Sequence, residues 1–281
     1  MGEKQSHSSY FRVTNPLPQV CRLEDPRGVF LTLIVGDRHA LLVDTGMGVG
    51  DVPGAVAALT DKPVIVANTH GHIDHAGGNY QFESVWLAAE DHPIVQEQID
   101  QEQKKRVLTL EDAPLPAQFD QERFFAYHGG NLLPLKAGWT FDLGGLSVTA
   151  IPLPSHTKGS MGFFCPELKL LLTGDSISAI TYLVFHESSS VSDHIRIMEE
   201  VQAFPFSMML SAHEPNIMDR KQLQTFLRCA KELRPEEAIR FRNPLFPDIR
   251  GKMYVCQDSC CPNGYAALVF TDDKLDGAAT L

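Results

Sequence analysis

Short apolar runs, rich in β-branched residues and bounded by Gly, Pro, Asn and Asp, recur along the chain and predict β-strands. The runs at 29–35 and 40–44 are separated by the turn residues 36–39, which indicates a hairpin. Other runs of this kind predict strands at 63–68, 85–87, 146–151, 161–164, 168–172, 207–210, 253–255 and 265–270.

Helices are predicted between these strands by caps and by amphipathic patterns. Asp51 can cap a short helix over 52–59, and the segments 191–203 and 220–233 each have one apolar face. The region 89–131 differs, because it is polar and helical in two pieces that a Pro-rich break separates. We interpret it as an insertion, which either covers a substrate site or is an ordinary surface helical hairpin.

The 281 residues are enough for one large domain or two small ones, and we expect a single α/β (α+β) domain over 1–281. Its features are the helical insertion at about 89–131 and a C-terminal hairpin at about 250–271. The segments 40–46 and 170–175 share a layout in which a loop acid follows an apolar strand. This similarity between the two segments indicates that the domain consists of two related halves that face each other.

Composition excludes several classes of function. The net charge of −11 argues against a nucleic-acid or anionic-membrane partner, and no apolar run has the length of a membrane span. The N-terminus lacks the apolar core of a signal peptide, so we expect a cytoplasmic protein with free thiols. Cys256, Cys260 and Cys261 lie close together without a matching second pair of metal ligands, and their role stays open.

Four possible metal ligands lie within six residues directly after the apolar run 63–68. They are His70, His72, Asp74 and His75. In an extended segment His70, His72 and Asp74 point to one side and His75 to the other, unless the backbone curls. Imidazole and carboxylate together suit zinc and other borderline divalent metals. The sequence therefore predicts a metal site on a loop at the end of a buried strand.

Three later loops each provide one further donor. His156, Asp175 and His213 follow, or lie between, predicted strands. Each residue alone is more often a cap or a surface group, but their order after the first cluster points to one shared site.

This constellation resembles the metallo-β-lactamase fold superfamily, whose five usual motifs are spread here from Asp44 to His213. The resemblance implies a four-layer αββα sandwich with the site at one edge between the sheets. It also implies that Asp44 supports the metal-binding loop from behind. The implied ligands are His70, His72 and His156 for one metal ion, Asp74, His75 and His213 for a second, and Asp175 as the bridge.

We expect two divalent metal ions, zinc in the first place and iron or manganese as alternatives. Such a pair can share a hydroxide, because metal binding brings the pKa of water to about 7. Members with oxygen or nitric oxide chemistry carry glutamate where this chain has His72, and the common antibiotic-hydrolysing class carries cysteine where it has Asp175. These two positions favour hydrolysis in the thioesterase, lactonase or phosphodiesterase branches.

The hypothesis is a binuclear hydrolase that cleaves a small ester or thioester, resembling small thioesterase or glyoxalase II-like members. Asp74 is its catalytic residue, since it binds the second metal ion and orients the hydroxide. A lactonase or β-lactamase-type amide hydrolase is the alternative; Ser176 to Ser178 weaken the lactonase interpretation, because related lactonases have a tyrosine shortly after the bridging acid. A di-iron redox protein and a non-catalytic binding module are alternatives of other classes.

Substrate selection is assigned to the insertion and to the loop 182–186. His128 and His186 lie on loops beside motifs, and their roles stay open. The basic residues of the stretch 228–242 are interpreted as a solvated face. The expected partner is a small-molecule substrate, with no nucleic acid and no membrane, and a homodimer is left open.

Overall fold

The apolar runs of the sequence form the strands of three β-sheets. The structure is a computed structural model that describes residues 10–110, 115–243, 246–261 and 264–275. Strands and helices are numbered below in chain order within these residues.

The first sheet contains strands in the same order as the chain. Strands β1 to β4 pair antiparallel, whereas β4 to β7 run parallel. The strands are β1 (Arg12–Leu17), β2 (Val20–Glu24), β3 (Phe30–Val35), β4 (Ala40–Val43), β5 (Val64–Ala67), β6 (Val85–Ala88) and β7 (Leu132–Leu135).

The second sheet has the order β13-β11-β10-β9-β8, and the third has the order β12-β16-β15-β14. Their strands are β8 (Thr140–Asp142), β9 (Ser147–Pro152), β10 (Met161–Cys165), β11 (Leu170–Gly174), β12 (Ile180–Leu183), β13 (Met208–Ser211), β14 (Ile239–Arg242), β15 (Arg250–Gln257) and β16 (Tyr265–Phe270). In the third sheet β15 and β16 pair antiparallel within the range assigned to a C-terminal hairpin, and β12 and β14 flank them.

Helices lie on the outer faces of the sheets and in the insertion. They are α1 (Val52–Ala57), α2 (Ile73–Ala76), α3 (His92–Gln98), α4 (Gln101–Leu110), α5 (Gln121–Ala126), α6 (Val191–Val201) and α7 (Arg220–Lys231). The side chain of Asp51 accepts a hydrogen bond from the Gly54 N–H and caps α1, as predicted.

The layers follow from the two faces of each main sheet. Leu41 and Val43 of the first sheet pack with Phe163 and Leu172 of the second in a core between them. The outer face of the first sheet packs on α1, and the outer face of the second packs on α6, α7 and the third sheet. This arrangement is the four-layer αββα sandwich, and the predicted fold class is confirmed.

Several elements differ from the sequence predictions. Strands β1, β2, β7, β8, β12 and β14 were not predicted. β1 lies at a sheet edge with most of its side chains exposed, so it lacks an apolar run. The first helical piece predicted in the insertion is divided near Ile99 into α3 and α4. Tyr182, assigned to a loop, lies in β12.

The insertion packs against the body through buried apolar side chains. Val95 and Ile99 contact the region around Ala76 and Leu87. Lys104 is buried in α4, and its Nζ donates hydrogen bonds to the carbonyl oxygens of Phe125 and Tyr127. These bonds satisfy the buried ammonium and tie α4 to α5.

The loops that carry the predicted ligands meet at one edge of the sandwich. They follow β4, β5, β9, β11 and β13. β4 pairs parallel with β5, and β11 pairs parallel with β13, so the carboxyl ends of each pair lie together. In the described part of the chain, no helix has the length and apolar character needed to cross a membrane.

Candidate metal centre

The ligand loop after β5 curls rather than staying extended. His72 has extended backbone angles, φ −68° and ψ 153°, and the next residues form the single turn of α2. Asp74 and His75 therefore reach the same cluster as His70 and His72, which is the outcome that the sequence left open for a backbone that curls.

All seven predicted ligands lie in one cluster. Their donor atoms form three overlapping groups, and the atoms within a group lie within 4.8 Å of one another. The groups are His70, His72 and His156; His70, His75 and Asp175; and Asp74, His75 and His213. The role of each residue as a ligand stays a prediction.

The all-histidine group presents three ring nitrogens to one point. His72 Nδ1 lies 3.1 Å from His70 Nε2 and 2.9 Å from His156 Nε2. Two nitrogens bound to one tetrahedral zinc ion, each at 2.0–2.1 Å, are about 3.3 Å apart. The spacing of the three nitrogens therefore fits three corners of such a site.

The donor atoms of Asp74, His75 and His213, called the carboxylate-containing group below, surround a second point. His213 Nε2 lies 3.3 Å from Asp74 Oδ2 and 3.3 Å from His75 Nε2. Asp175 lies between the two groups, because its Oδ2 is 3.2 Å from His213 Nε2 and 3.7 Å from His156 Nε2. Its Oδ1 is buried without a hydrogen-bond partner among the described residues. Such an oxygen is satisfied by a cation, so this donor set fits a metal pair.

Burial and neighbouring imidazoles keep two rings of the all-histidine group, His70 and His156, neutral. Burial, together with the neighbouring imidazoles, holds the pKa of His70 well below its usual range. Burial and His72 lower the pKa of His156 to about 4. Both rings are therefore neutral at pH 7, the form that binds a metal ion.

The carboxylate-containing group has the opposite character. Burial alone would raise the pKa of Asp74 and of Asp175, but His75 and His213 outweigh burial and hold both well below their usual range. Burial lowers the pKa of His213 and of His75, but the carboxylates of Asp74 and Asp175 outweigh burial. They raise the pKa of His213 to about 10 and that of His75 well above its usual range. Imidazolium and carboxylate are thus paired at neutral pH.

Asp44 supports the ligand loop from behind, as predicted. Its Oδ1 accepts a hydrogen bond from the Thr69 N–H at 2.7 Å, and its Oδ2 lies 3.0 Å from His75 Nδ1. The second contact leaves His75 Nε2 facing the cluster. Asp44 has φ +68°, a left-handed conformation that costs a non-glycine residue about 1–2 kcal/mol and is typical of functional sites.

Glu187, in the loop between β12 and α6, was not predicted. Its Oε1 lies 2.7 Å from His72 Nε2, so it fixes the ring with Nδ1 toward the cluster. Burial raises the pKa of Glu187, but the hydrogen bond with His72 outweighs it and lowers that pKa to about 2. Its Oε2 lies 2.9 Å from Nδ1 of the exposed His186. No local motif marks a single acid in a loop.

Two further supporting residues were missed. Asp91 accepts hydrogen bonds from Gly71 N–H and Thr157 Oγ1, at 2.9 and 2.7 Å, and so joins the His70 loop to the His156 loop. Arg22 in β2 donates to the carbonyl oxygens of Ser211 and Glu214, at 2.6 and 3.0 Å, and fixes the loop of His213 from the first sheet.

A cavity of about 580 Å³ opens above the cluster and reaches five of the seven donors. The insertion contributes Gln98, Gln103 and Arg106 to its lining, and β12 and the residues after it contribute Tyr182 and Phe185. His128 is exposed and does not line the cavity. The apolar lining includes Val29, Met47, Ile73, Ala179, Phe185 and Phe246.

The fold and the cluster of seven predicted ligands are those expected of the metallo-β-lactamase type. The family model described as the metallo-beta-lactamase superfamily matches residues 25–213. The chain therefore belongs to this superfamily.

Curated relatives have low sequence identity and are hydrolases of thioesters by name. The chain is 26% identical over 186 residues to acyl-coenzyme A thioesterase MBLAC2 of Bos taurus, a match that covers 60% of this chain and 65% of the relative. It is 28% identical over 145 residues to hydroxyacylglutathione hydrolase GloC of Haemophilus influenzae, covering 50% and 61%. The chain thus spans less than two thirds of the length of each.

Solved structures with this fold include a metallo-beta-lactamase from Pontibacter korlensis, with a TM-score of 0.56 and 16% identity over 79% of this chain and all of that one. Another, from Erythrobacter litoralis, has a TM-score of 0.57 and 20% identity, covering 80% and 97%. At these identities the likeness shows the fold alone.

Proposed function

We propose that the protein is a binuclear metal-dependent hydrolase of a thioester or a small ester. The observation that carries this proposal is the position of Asp175, whose carboxylate lies between two donor groups. One of its oxygens is buried without a hydrogen-bond partner among the described residues, at 3.5 Å from His75 Nε2. A single metal ion at the all-histidine group would leave the carboxylates and His213 without a function.

The residues of the two groups would hold two divalent ions, with His70, His72 and His156 around one and Asp74, His75 and His213 around the other. When bound, such a pair polarises a carbonyl oxygen and lowers the pKa of water to about 7. Neutral imidazoles and carboxylates suit zinc, and also iron or manganese.

Asp74 is the proposed catalytic residue of the chain. It is only partly exposed, and its Oδ2 lies 3.3 Å from His213 Nε2. Because His75 and His213 outweigh burial and hold its pKa well below the usual range, the side chain is ionised at neutral pH and accepts hydrogen bonds. It can therefore orient the attacking water through Oδ2. Because its pKa is low, Asp74 is better suited to orient the attacking water than to take up the proton of that water.

The cavity suits an acyl group at the cluster. Apolar side chains of loops beside the first sheet and of the loop after β12, such as Met47, Ile73 and Phe185, exclude water around the reacting carbonyl. A thiol has a pKa near 8.5 and leaves as the thiolate, so thioester cleavage needs no proton donor. Both curated relatives described above are thioester hydrolases by name, which supports this substrate class.

The test is a panel of thioesters, lactones, β-lactams and phosphodiesters with the metal-loaded protein, its Asp74→Ala variant and Asp61→Asn as a control. Asp61 has a side chain that is 92% exposed. We expect thioesters to be cleaved fastest, and Asp74→Ala to lose turnover while remaining folded. Undiminished turnover in Asp74→Ala, or cleavage confined to lactones or β-lactams, would overturn the proposal. Visible absorbance from bound iron with redox turnover would favour the di-iron alternative.

A further inference from the structure

Three arginines line the cavity although the chain is acidic. Arg27, Arg106 and Arg250 contribute to the lining, whereas the whole chain has a net charge of −11. Four acids, Asp74, Asp175, Glu214 and Asp248, line it as well, so only an arginine without an acidic partner can attract an anionic ligand there. Arg106 is already paired with Asp248 at 2.5 Å, so it contributes little free charge.

Arg250 has a second arginine directly opposite it. In the antiparallel ladder of β14 and β15, Arg242 is the cross-strand partner of Arg250. Like charges in this position destabilise a hairpin. Both Nε groups donate hydrogen bonds to one acceptor, the Pro247 carbonyl oxygen, at 2.9 Å from Arg242 and 3.3 Å from Arg250. The two guanidinium groups are therefore held side by side and exposed.

No acid compensates this pair among the residues that the structure describes. No carboxylate there lies within 4.0 Å of Arg242 or Arg250. The other part of the same basic stretch is neutralised, since Lys231 pairs with Glu199 at 2.5 Å and Arg234 with Glu237 at 3.0 Å. The interpretation of the stretch as a solvated face thus fits its helical part but not β14.

We infer that Arg242 and Arg250 form a phosphate-binding subsite for the thiol half of the substrate. The ligand is a thioester whose thiol carries phosphate, of the coenzyme A type. This inference rests on the proposed thioesterase function. Guanidinium groups match phosphate oxygens with paired hydrogen bonds, and two adjacent arginines fit a multiply charged group.

The position of the pair separates this ligand from an acylglutathione. In a coenzyme A thioester the phosphates lie at the far end of a long arm, whereas the carboxylates of glutathione lie near its sulfur. Arg250 is exposed and lines the same cavity as His72 and His156, which are buried. A substrate with its acyl group at the buried cluster and its phosphate at the exposed arginines has the layout of the long phosphorylated arm.

The first experiment needs no variant. The metal-loaded protein is given one acyl group on coenzyme A, on 4′-phosphopantetheine, on pantetheine and on glutathione, and kcat/KM is measured for each. We expect the phosphorylated thioesters to exceed acyl-pantetheine by about tenfold or more through a lower KM, and rising salt to reduce the difference. Equal values for acyl-coenzyme A and acyl-pantetheine, or a preference for acylglutathione, would overturn the inference.

The second experiment tests whether Arg242 and Arg250 cause the preference for phosphorylated thioesters. In Arg242→Gln/Arg250→Gln we expect the ratio of kcat/KM for acyl-coenzyme A over acyl-pantetheine to fall about tenfold. The control is Arg196→Gln/Arg234→Gln, which removes the same charge from two arginines paired with acids on or beside helices. An unchanged ratio in the first double variant, or an equal fall in both, contradicts the subsite.

The two experiments also distinguish failure of the proposed function from failure of the phosphate-binding subsite. If no thioester on the panel is cleaved, the proposed function fails. If thioesters are cleaved but phosphate has no effect, the function stands and only the subsite fails. Cleavage of acyl-4′-phosphopantetheine as fast as acyl-coenzyme A supports recognition of the phosphate shared with acylated carrier proteins, and a further gain with coenzyme A supports recognition of its nucleotide phosphates as well.

Discussion

The two donor groups of the cluster are built from similar residues but differ in charge. In the all-histidine group, burial and neighbouring imidazoles lower the pKa of His70 and of His156, so their rings are neutral at pH 7. In the carboxylate-containing group, the pKa of His75 and of His213 is raised, because Asp74 and Asp175 outweigh the effect of burial. His213 is also more exposed than the rings of the first group, at 36% against 3% for His156.

This difference means that the first group is ready to bind a cation, whereas the second must first release protons. Metal ligands bind in their deprotonated form, so protons compete with the metal at His75 and His213. We therefore expect the first ion to bind tightly over a wide pH range and the second to bind more weakly and to depend on pH.

The largest expected effect comes from the residue that both groups share. Asp175→Asn removes the carboxylate between them, and we expect kcat to fall about a thousandfold, or about 4 kcal/mol. Steady-state kinetics and metal analysis on the folded variant measure this, with Asp61→Asn as the matched control. A fall of less than tenfold would show that the two groups act independently.

The support of the first group is tested by Glu187→Gln. The amide keeps the shape but not the charge that orients His72 Nδ1, so the affinity for the first ion should fall about 10–100-fold. Competition with a chelator measures it, and the visible spectrum of the cobalt form reports the geometry of the site. His186→Ala, at an exposed contact of the same carboxylate, is the control and should have a much smaller effect. Equal affinities in Glu187→Gln and the parent would refute the assigned role.

The pH dependence separates the two ions. The pKa of His213 is raised to about 10 and that of His75 well above its usual range, so binding of the second ion displaces a proton at each. Below pH 10 its affinity should therefore rise with pH by about tenfold per pH unit for each proton displaced. The first ion should show a much shallower dependence between pH 6 and pH 8. Titration calorimetry at several pH values provides both curves. Parallel curves for the two ions would remove the distinction between the groups.

The smallest expected effect concerns the helix behind the first group. His194 in α6 is buried, and its Nδ1 lies 2.8 Å from Ser155 Oγ, next to His156. Burial lowers the pKa of His194 to about 4, so the unfolded chain binds a proton below pH 6.5 that the folded chain does not. At pH 6 this costs about 1 kcal/mol of stability, and the cost grows as the pH falls toward 4.

Urea unfolding at pH 7.5 and pH 6 measures this cost. His194→Asn removes the titration, so the free energy of unfolding of the parent should decrease by about 1 kcal/mol more than that of the variant. The same decrease in both proteins would show that other groups cause it.

The residues that meet in the cluster were predictable because they lie in short segments with distinctive spacing. Four of them fall within six residues, and each of the others follows a run that is readable as a strand. The buried strands of the central layers were predictable for the same reason. Edge strands such as β1 and β14 were not predictable from the sequence, because strands with mostly exposed side chains have no apolar pattern.

The supporting residues could not be found in this way. Glu187, Asp91 and Arg22 are single charged residues whose partners are far away in the sequence, as the contact of Arg22 with Ser211 illustrates. Their role depends on which loops meet at the edge of the sandwich. Only the tertiary structure establishes this, since no local period encodes it.

The number of metal ions per chain tests the central claim most directly. Metal analysis after reconstitution at pH 8 should find two equivalents in the parent protein and one in His213→Ala, which retains the all-histidine group. One equivalent in the parent, unchanged by His213→Ala, would contradict the binuclear site.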